Sequence, residues 1–125
     1  MRTTKSLLPA ITRSPADTGR GPAGDRVAEI VTFRLSAGAD VDAFLTAADG
    51  MTPFLQSTGA ALSRTLSVDE TGLWTDHITW TSMRAAKDAA AEMMQQPEAA
   101  PFMQQIDGDT VVMRHAPVRH TLTME

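Results

Sequence analysis

The order of strand-like and helix-like segments is the feature of this sequence that most constrains its fold. Four segments are rich in β-forming residues, and two longer segments repeat apolar residues at helical spacing. They follow one another as strand, helix, strand, strand, helix, strand, which is the split βαβ pattern. The sequence therefore predicts a ferredoxin-like α+β fold, with a four-stranded antiparallel sheet and the helices on one of its faces.

The predicted strands are short and are separated by turn residues. Asp69, Glu70, Thr71 and Gly72 make a hairpin connection between the second and third strands. The strands are predicted over residues 27–35, 61–68, 73–81 and 110–115, with residues 107–109 as a turn before the last.

The helices carry clear start and stop signals. Asp40 can cap the first helix, and Gly50 and Pro53 should weaken or kink its last third. Ser82 can cap an alanine-rich second helix that Pro97 stops. The second helix is predicted over residues 83–96 and a short third helix over residues 98–106.

The sheet expected for this pattern has the strand order four, one, three, two, and we expect strands one and three to run parallel at its centre. The face that carries Phe33 and Trp80 should be covered by the helices. The opposite face carries Ile30, Thr75 and His77, is only half apolar, and would be stabilised by a second sheet. The sequence therefore predicts a homodimer that is joined sheet to sheet.

Charge divides the chain into a basic start and an acidic body. Residues 1–24 carry four basic side chains against one acidic side chain and end in a Gly- and Pro-rich run, so we predict a flexible leader. Residues 25–118 are the predicted barrel domain, and residues 119–125 are a predicted C-terminal tail. From residue 25 onward the net charge is −7, which argues against nucleic acid as a partner.

Missing residue types and motifs exclude several classes of site. No apolar run reaches the roughly 18 residues of a membrane span, so we expect no membrane partner. The sequence has no cysteine, which fits a reducing compartment, and we expect a cytoplasmic protein. The three histidines lack metal-ligand spacing, and no glycine-rich nucleotide or flavin fingerprint occurs. We therefore expect no metal and no cofactor.

Four polar residues are expected to form a row across one end of the helix-covered face. In order across the sheet they are Arg64, Asp76, Glu29 and His115. Charges on such a face are costly unless they are paired or functional. Two neighbouring carboxylates resist being ionised together, which is how a general base comes to act near neutral pH. The same row could also be a solvated cluster of ion pairs, and the sequence leaves both interpretations open.

Aromatic and methionine side chains are the candidates for a ligand surface. Trp74 and Trp80 would give a flat apolar wall for an aromatic or polyene ligand. We assign Phe33, Met51 and Met93 to the same surface. These residues, with the polar row, predict a site for a small apolar molecule.

Three stretches carry a resemblance to a known family: VAEIVTFRLSAG from residue 27, ITWTSMRAAKDAA from residue 78 and PEAAPFMQQI from residue 97. Over roughly residues 27–117 the chain resembles the dimeric α+β barrel superfamily, in its antibiotic-biosynthesis-monooxygenase-like branch. Haem-degrading relatives are similar in having a tryptophan at the position of Trp80. They use an asparagine where this chain has Val31 and a histidine where it has alanine, so haem degradation is not expected.

The resemblance implies a small cofactor-independent monooxygenase or cyclase that acts, as a homodimer, on an aromatic or polyketide-like molecule. In this hypothesis Asp76, beside Glu29, removes a proton from a phenol or an activated methylene. Arg64 or His115 then stabilises the resulting enolate. Because the superfamily hosts many activities, the fold does not fix the reaction. The alternative is a non-catalytic dimeric barrel that binds a ligand or takes part in a stress response.

Overall fold

The structure is a computed structural model that describes residues 25–124. The predicted leader over residues 1–24 lies outside the described residues, as does the last residue of the predicted tail. The strands are β1 (Val27–Leu35), β2 (Ala61–Val68), β3 (Trp74–Trp80) and β4 (Ile106–Pro117). The helices are α1 (Val41–Asp49), α2 (Thr52–Ser57), α3 (Met83–Met93) and α4 (Ala99–Met103).

The four strands form one antiparallel sheet in the order β2-β3-β1-β4, with the helices packed on one face. The predicted ferredoxin-like α+β fold is confirmed. We call the helix-covered face of the sheet the inner face and the opposite face the outer face. The described residues leave the outer face uncovered, and its Val112 is 62% exposed. None of the helices in residues 25–124 is long and apolar enough to cross a membrane.

Strands β1 and β3 run antiparallel, so the expected parallel pairing is wrong. Their register places Val31 opposite Asp76 and Phe33 opposite Trp74. The reason is topological: the connection through α1 and α2 returns β2 parallel to β1, and the tight hairpin after β2 then reverses the chain. Because β3 inserts between β1 and β2, it must run opposite to both.

The first predicted helix is divided into α1 and α2 at Gly50 and Met51. Pro53 causes the break, because it lacks the N–H that would bond to the carbonyl of Asp49 and its ring clashes with that turn. It is accepted in the first turn of α2, where an N–H would have no helical partner. The break turns Met51, which is 2% exposed, into the protein interior.

Strand β4 begins at Ile106, so the predicted turn over residues 107–109 is part of a strand. Arg34 pairs with Asp107 and Thr32 with Val112, so four residues of β4 lie opposite the single residue Phe33. The side chain of Thr110 replaces the missing ladder bond, since its Oγ1 accepts from the N–H of Arg34 at 2.8 Å. This bulge lets a turn-like sequence continue the strand.

The hydrophobic core lies between the inner face and the helices. Phe44 of α1 is fully buried and meets the rings of Trp74 and Phe102 with centroids 5.0 and 5.1 Å away. Helix α3 contributes Ala86 and Ala89, whose small side chains let the helix approach the sheet closely. The core therefore fills one part of the layer between helices and sheet, and the rest of that layer holds the candidate site.

Candidate functional site

Two carboxylates are buried on the inner face of the sheet. Glu29 on β1 and Asp76 on β3 are each 7% exposed. They come from neighbouring strands, with Asp76 opposite Val31, one inward-facing position along β1 from Glu29. An ionised carboxylate taken out of water needs charged or hydrogen-bonding partners. The partners of each therefore decide what the pair can do.

Asp76 is held by a bidentate ion pair with Arg64 of β2. The Nε of Arg64 donates to Oδ1 at 3.0 Å, and Nη2 donates to Oδ2 at 2.7 Å. The pair is diagonal, because Leu66 is the residue directly opposite Asp76. Both carboxylate oxygens accept from one guanidinium, which is the strongest geometry available to such a pair.

Arg64 also connects the sheet to two helices. Its Nη1 donates at 3.0 Å to the carbonyl oxygen of Ala48 near the end of α1, and this oxygen also accepts from the backbone N–H of Met51 at 3.1 Å. The guanidinium carbon lies 5.2 Å from the centroid of the Phe102 ring on α4, within cation–π range. Three of the five N–H donors of Arg64 are thus engaged.

Glu29 is bound on its other side by His115 and Trp80. His115 lies directly opposite Glu29 on β4, and its Nε2 is 2.8 Å from Oε2. The indole Nε1 of Trp80 donates to Oε1 at 3.3 Å. A carboxylate offers about four lone-pair sites, so these two bonds leave Glu29 able to accept further hydrogen bonds.

The structure brings together all four residues of the predicted polar row, as two separate pairs. Arg64 and Asp76 form one, and Glu29 and His115 form the other. Although β3 runs opposite to the expected direction, Asp76 still lies close to Glu29, because it is near the middle of that seven-residue strand. Sequence reasoning missed the carbonyl of Ala48 and the Phe102 ring, which reach Arg64 only through the packing of α1 and α4.

A cavity of about 130 Å³ lies beside the two pairs. Fourteen residues line it, and its charged members are Glu29, Arg64 and Asp76. The eleven others are apolar. The helices contribute Leu55, Met93, Phe102 and Met103, with Met51 from the break between α1 and α2, and the strands contribute Val31, Phe33, Ile78, Ile106, Val111 and Met113.

The mouth of the cavity lies between α4 and β4. Met103, Val111 and Met113 line the cavity and are also 39%, 40% and 50% exposed. Glu29 and Asp76 are buried on the neighbouring strands β1 and β3, and Asp76 lies in the same row across the sheet as Val31 and Met113.

The residues expected to form the ligand surface divide into two groups. Phe33, Met51 and Met93 line the cavity. Trp74 and Trp80 are not among the lining residues: Trp74 stacks on Phe33 with its centroid 6.5 Å away and belongs to the core. Trp80 is 2% exposed and reaches the site only by its hydrogen bond to Glu29. The tryptophan wall is therefore not part of the surface we propose below.

His115 also stands outside the lining, and it contacts Glu29 from the neighbouring strand β4. The lining residues Val111 and Met113 share an alternating face of β4 with His115, so strand periodicity could have found them. In the described part of the chain, no three His, Asp or Glu side chains are grouped in a way that could hold a metal ion.

No family model and no curated protein matches this chain. Solved structures do match. SnoaB, a cofactor-independent oxygenase from Streptomyces nogalater, matches with a TM-score of 0.61 at 17% identity, over 80% of this chain and 99% of SnoaB. A protein from Bordetella bronchiseptica assigned as an antibiotic biosynthesis monooxygenase matches with a TM-score of 0.65 at 13% identity, over 78% of this chain and 99% of its own.

A protein with different chemistry has the same fold. Hydroxynitrile lyase from Passiflora edulis matches with a TM-score of 0.57 at 12% identity, over 80% of this chain and 99% of the lyase. At these identities the likeness concerns the fold, which supports both oxygenases and a lyase. The resemblance seen in the sequence is confirmed at that level: the chain shares its α+β fold with SnoaB and with proteins assigned as antibiotic biosynthesis monooxygenases.

Proposed function

We propose that this protein is a small cofactor-independent monooxygenase or cyclase acting on an aromatic or polyketide-like molecule. The observation that carries the proposal is a buried carboxylate, Glu29, in the lining of a mostly apolar cavity. Such a cavity holds a ring and keeps water away, while the carboxylate can accept a proton from it. SnoaB, a cofactor-independent oxygenase, shares the fold, which supports this class of reaction.

Glu29 is better suited than Asp76 to be the general base. Both residues line the cavity, and each of their carboxylate oxygens accepts one hydrogen bond. Asp76 takes both bonds from the cationic guanidinium of Arg64, so a proton taken up by Asp76 would neutralise one half of a bidentate ion pair. Glu29 has no guanidinium partner and accepts one of its bonds from the neutral indole of Trp80. We therefore assign proton removal to Glu29, with His115 orienting its carboxylate, and keep Asp76 as the alternative base.

The oxygenation balances without a cofactor. Glu29 removes a proton from an activated ring methylene, and the carbanion supplies electrons to molecular oxygen. One oxygen atom becomes a carbonyl on that carbon, the other leaves as water with the two methylene hydrogens, and the carbon is oxidised by four electrons. In the cyclase alternative the same carbanion attacks a carbonyl within the ligand, and no oxidant is needed.

We further propose that the protein acts as a homodimer through the outer face of its sheet. That face carries Ile30, Thr75 and Thr79, which are half-buried, together with the exposed His77 and Val112. A second copy would cover these apolar atoms without burying an unpaired charge from β3.

One observation favours the alternative of a non-catalytic ligand-binding barrel. Both carboxylates already have a basic partner, as expected for ion pairs whose role is to hold the sheet together. In this case the cavity would bind a molecule without changing it, and loss of Glu29 would alter affinity alone.

Oxygen uptake with anthrone, an aromatic with one activated methylene, tests the proposal. We expect the protein to speed oxygen consumption and anthraquinone formation over buffer, and Glu29→Gln to lower that rate by about 10²–10⁴-fold. Glu70→Gln, the same change in an exposed hairpin loop, is the matched control and should keep the full rate. A wild-type rate equal to buffer, or full activity in Glu29→Gln, would contradict the assignment.

A further inference from the structure

The charges around the cavity restrict the class of ligand more closely than the fold does. Counted as formal charges, Glu29 and Asp76 contribute two negative charges to the lining and Arg64 contributes one positive charge. The lining is therefore net negative by one charge. His115 is outside the lining and hydrogen-bonds to Glu29 from the neighbouring strand β4, so Arg64 is the basic side chain that a bound molecule would contact directly.

Arg64 is the one residue of the lining that could attract an anion, and Asp76 prevents it from doing so. The carboxylate of Asp76 occupies the Nε and Nη2 edge of the guanidinium, which is the edge that a ligand carboxylate would use. Nη1 is turned to the carbonyl of Ala48, and Phe102 lies within 5.2 Å of the guanidinium carbon. An incoming anion would thus meet two carboxylates and a guanidinium that is already paired.

Beside Glu29, the polar group of a ligand that is best satisfied is a hydrogen-bond donor. Glu29 has lone pairs left after its bonds with His115 and Trp80, and a carboxylate can only accept. The size of the site sets the rest of the ligand. A cavity of about 130 Å³ is comparable to the engineered cavity of about 150 Å³ that binds benzene. Its volume matches one ring, so in a larger ligand such as anthrone the ring with the reactive methylene must occupy it and the outer rings must reach beyond it.

We propose that the cavity selects an uncharged, hydroxyl-bearing aromatic ring and excludes ring carboxylates, and that Asp76 determines this specificity by neutralising Arg64. This inference rests on the cavity being the ligand site of the proposed function, but it does not require catalysis. Asp76 in this role acts on the choice of ligand and leaves proton removal to Glu29.

Three one-ring probes of similar size test the selection: phenol, toluene and benzoate, with dissociation constants measured by calorimetry or by amide chemical shifts. For the wild type we expect phenol to bind more tightly than toluene, and benzoate at least about 10-fold more weakly than phenol, because like charges oppose its entry. Benzoate binding as tightly as phenol, toluene binding as tightly as phenol, or no binding of phenol would each overturn the proposal.

Asp76→Asn should reverse the selection, since it removes one negative charge and releases the Arg64 edge. We expect the affinity for benzoate to rise by about 10-fold or more, with phenol changed by less than about 3-fold. Unchanged exclusion of benzoate in this variant would refute the role of Asp76. If Asp76→Asn does not fold, Glu29→Gln takes its place: removal of its charge should also strengthen benzoate binding, and it should weaken phenol binding about 5-fold.

Glu70→Gln, in the exposed hairpin loop, carries the same change in net charge and should keep the wild-type order of the three probes. An equal gain of benzoate binding in this control would mean that overall charge, and not the cavity lining, sets the preference. Oxygen uptake separates this inference from the proposed function. If the protein prefers phenol to benzoate but does not oxidise anthrone, the selection is upheld and the catalysis is rejected. If it oxidises anthrone but binds benzoate as tightly as phenol, the catalysis is upheld and the selection is rejected.

Discussion

Replacement of Asp76 by asparagine should lower stability sharply, because the change leaves a nearly buried cation without its counterion. The side chains of Arg64 and Asp76 are only 18% and 9% exposed, so solvent screens the pair weakly. Removal of one partner from a buried ion pair costs about 3–5 kcal/mol. Arg64 keeps its bond to the carbonyl of Ala48, and the asparagine oxygen can still accept one bond, so we expect a value near the lower end.

A loss of about 3 kcal/mol corresponds to a fall of roughly 12–24 °C in the melting temperature, since 1 kcal/mol shifts a domain of this size by about 4–8 °C. Thermal unfolding followed by circular dichroism measures the shift. Asp109→Asn, the same change at an exposed position of β4, should leave the melting temperature nearly unchanged. A second substitution, Arg64→Met, should restore most of the stability of Asp76→Asn by removing the unpaired cation.

An unchanged or raised melting temperature in Asp76→Asn would refute this reasoning. It would mean that the charge of Asp76 does not stabilise the folded protein, as is often the case for an active-site carboxylate. The original assignment of Asp76 as the general base would then regain support over Glu29. If Arg64→Met does not restore stability, the contacts of Arg64 with α1 and α4 must contribute more to stability than removal of the unpaired cation gains.

Three further predictions concern the assembly, a helix start and the hairpin loop. Sedimentation at micromolar concentration should give twice the chain mass of 13.4 kDa, and a monomer would refute the sheet-to-sheet dimer. Ser82 accepts from the N–H of Ala85 at 3.0 Å, so Ser82→Ala should cost about 1 kcal/mol in thermal or urea unfolding, and no change would show that the cap contributes nothing. Hydrogen bonds from Thr71 and Leu73 lower the pKa of Asp69 from its ordinary value of 3.8. Its stabilising contribution is therefore present at neutral pH and is lost as the pH falls from about 5 through the lowered pKa. The difference in melting temperature between wild type and Asp69→Asn should disappear in acid. A difference that does not depend on pH would contradict this.

Strand composition and alternation predicted β1 and β2 with the bounds that the structure shows. The predicted direction of β3 relative to β1 was wrong, although the element order is enough to derive it. A crossover followed by a hairpin makes these two strands antiparallel. The start of β4 was missed for a different reason. Asp107, Gly108 and Asp109 have turn composition, and only pairing with β1 across a bulge makes them extended.

The candidate site was predictable where it depends on the sheet and unpredictable where it depends on the helices. Alternation assigned Glu29, Arg64, Asp76 and His115 to one face, and the register brought them together. Whether an inner-face side chain lines a cavity or fills the core depends on where each helix lies above it. Local pattern does not contain that information, and for this reason Trp74 was assigned to the ligand surface while Phe102 was missed.

Four of the fourteen cavity-lining residues are methionines: Met51, Met93, Met103 and Met113. Methionine has three flexible side-chain torsions and no branch, so its thioether can swing aside at little energetic cost. The volume of this cavity is therefore adjustable by rotamer changes alone, on picosecond-to-nanosecond timescales at the exposed positions, with the backbone at rest. The outline of such a cavity can therefore change while its carboxylates stay fixed by their bonds within the sheet.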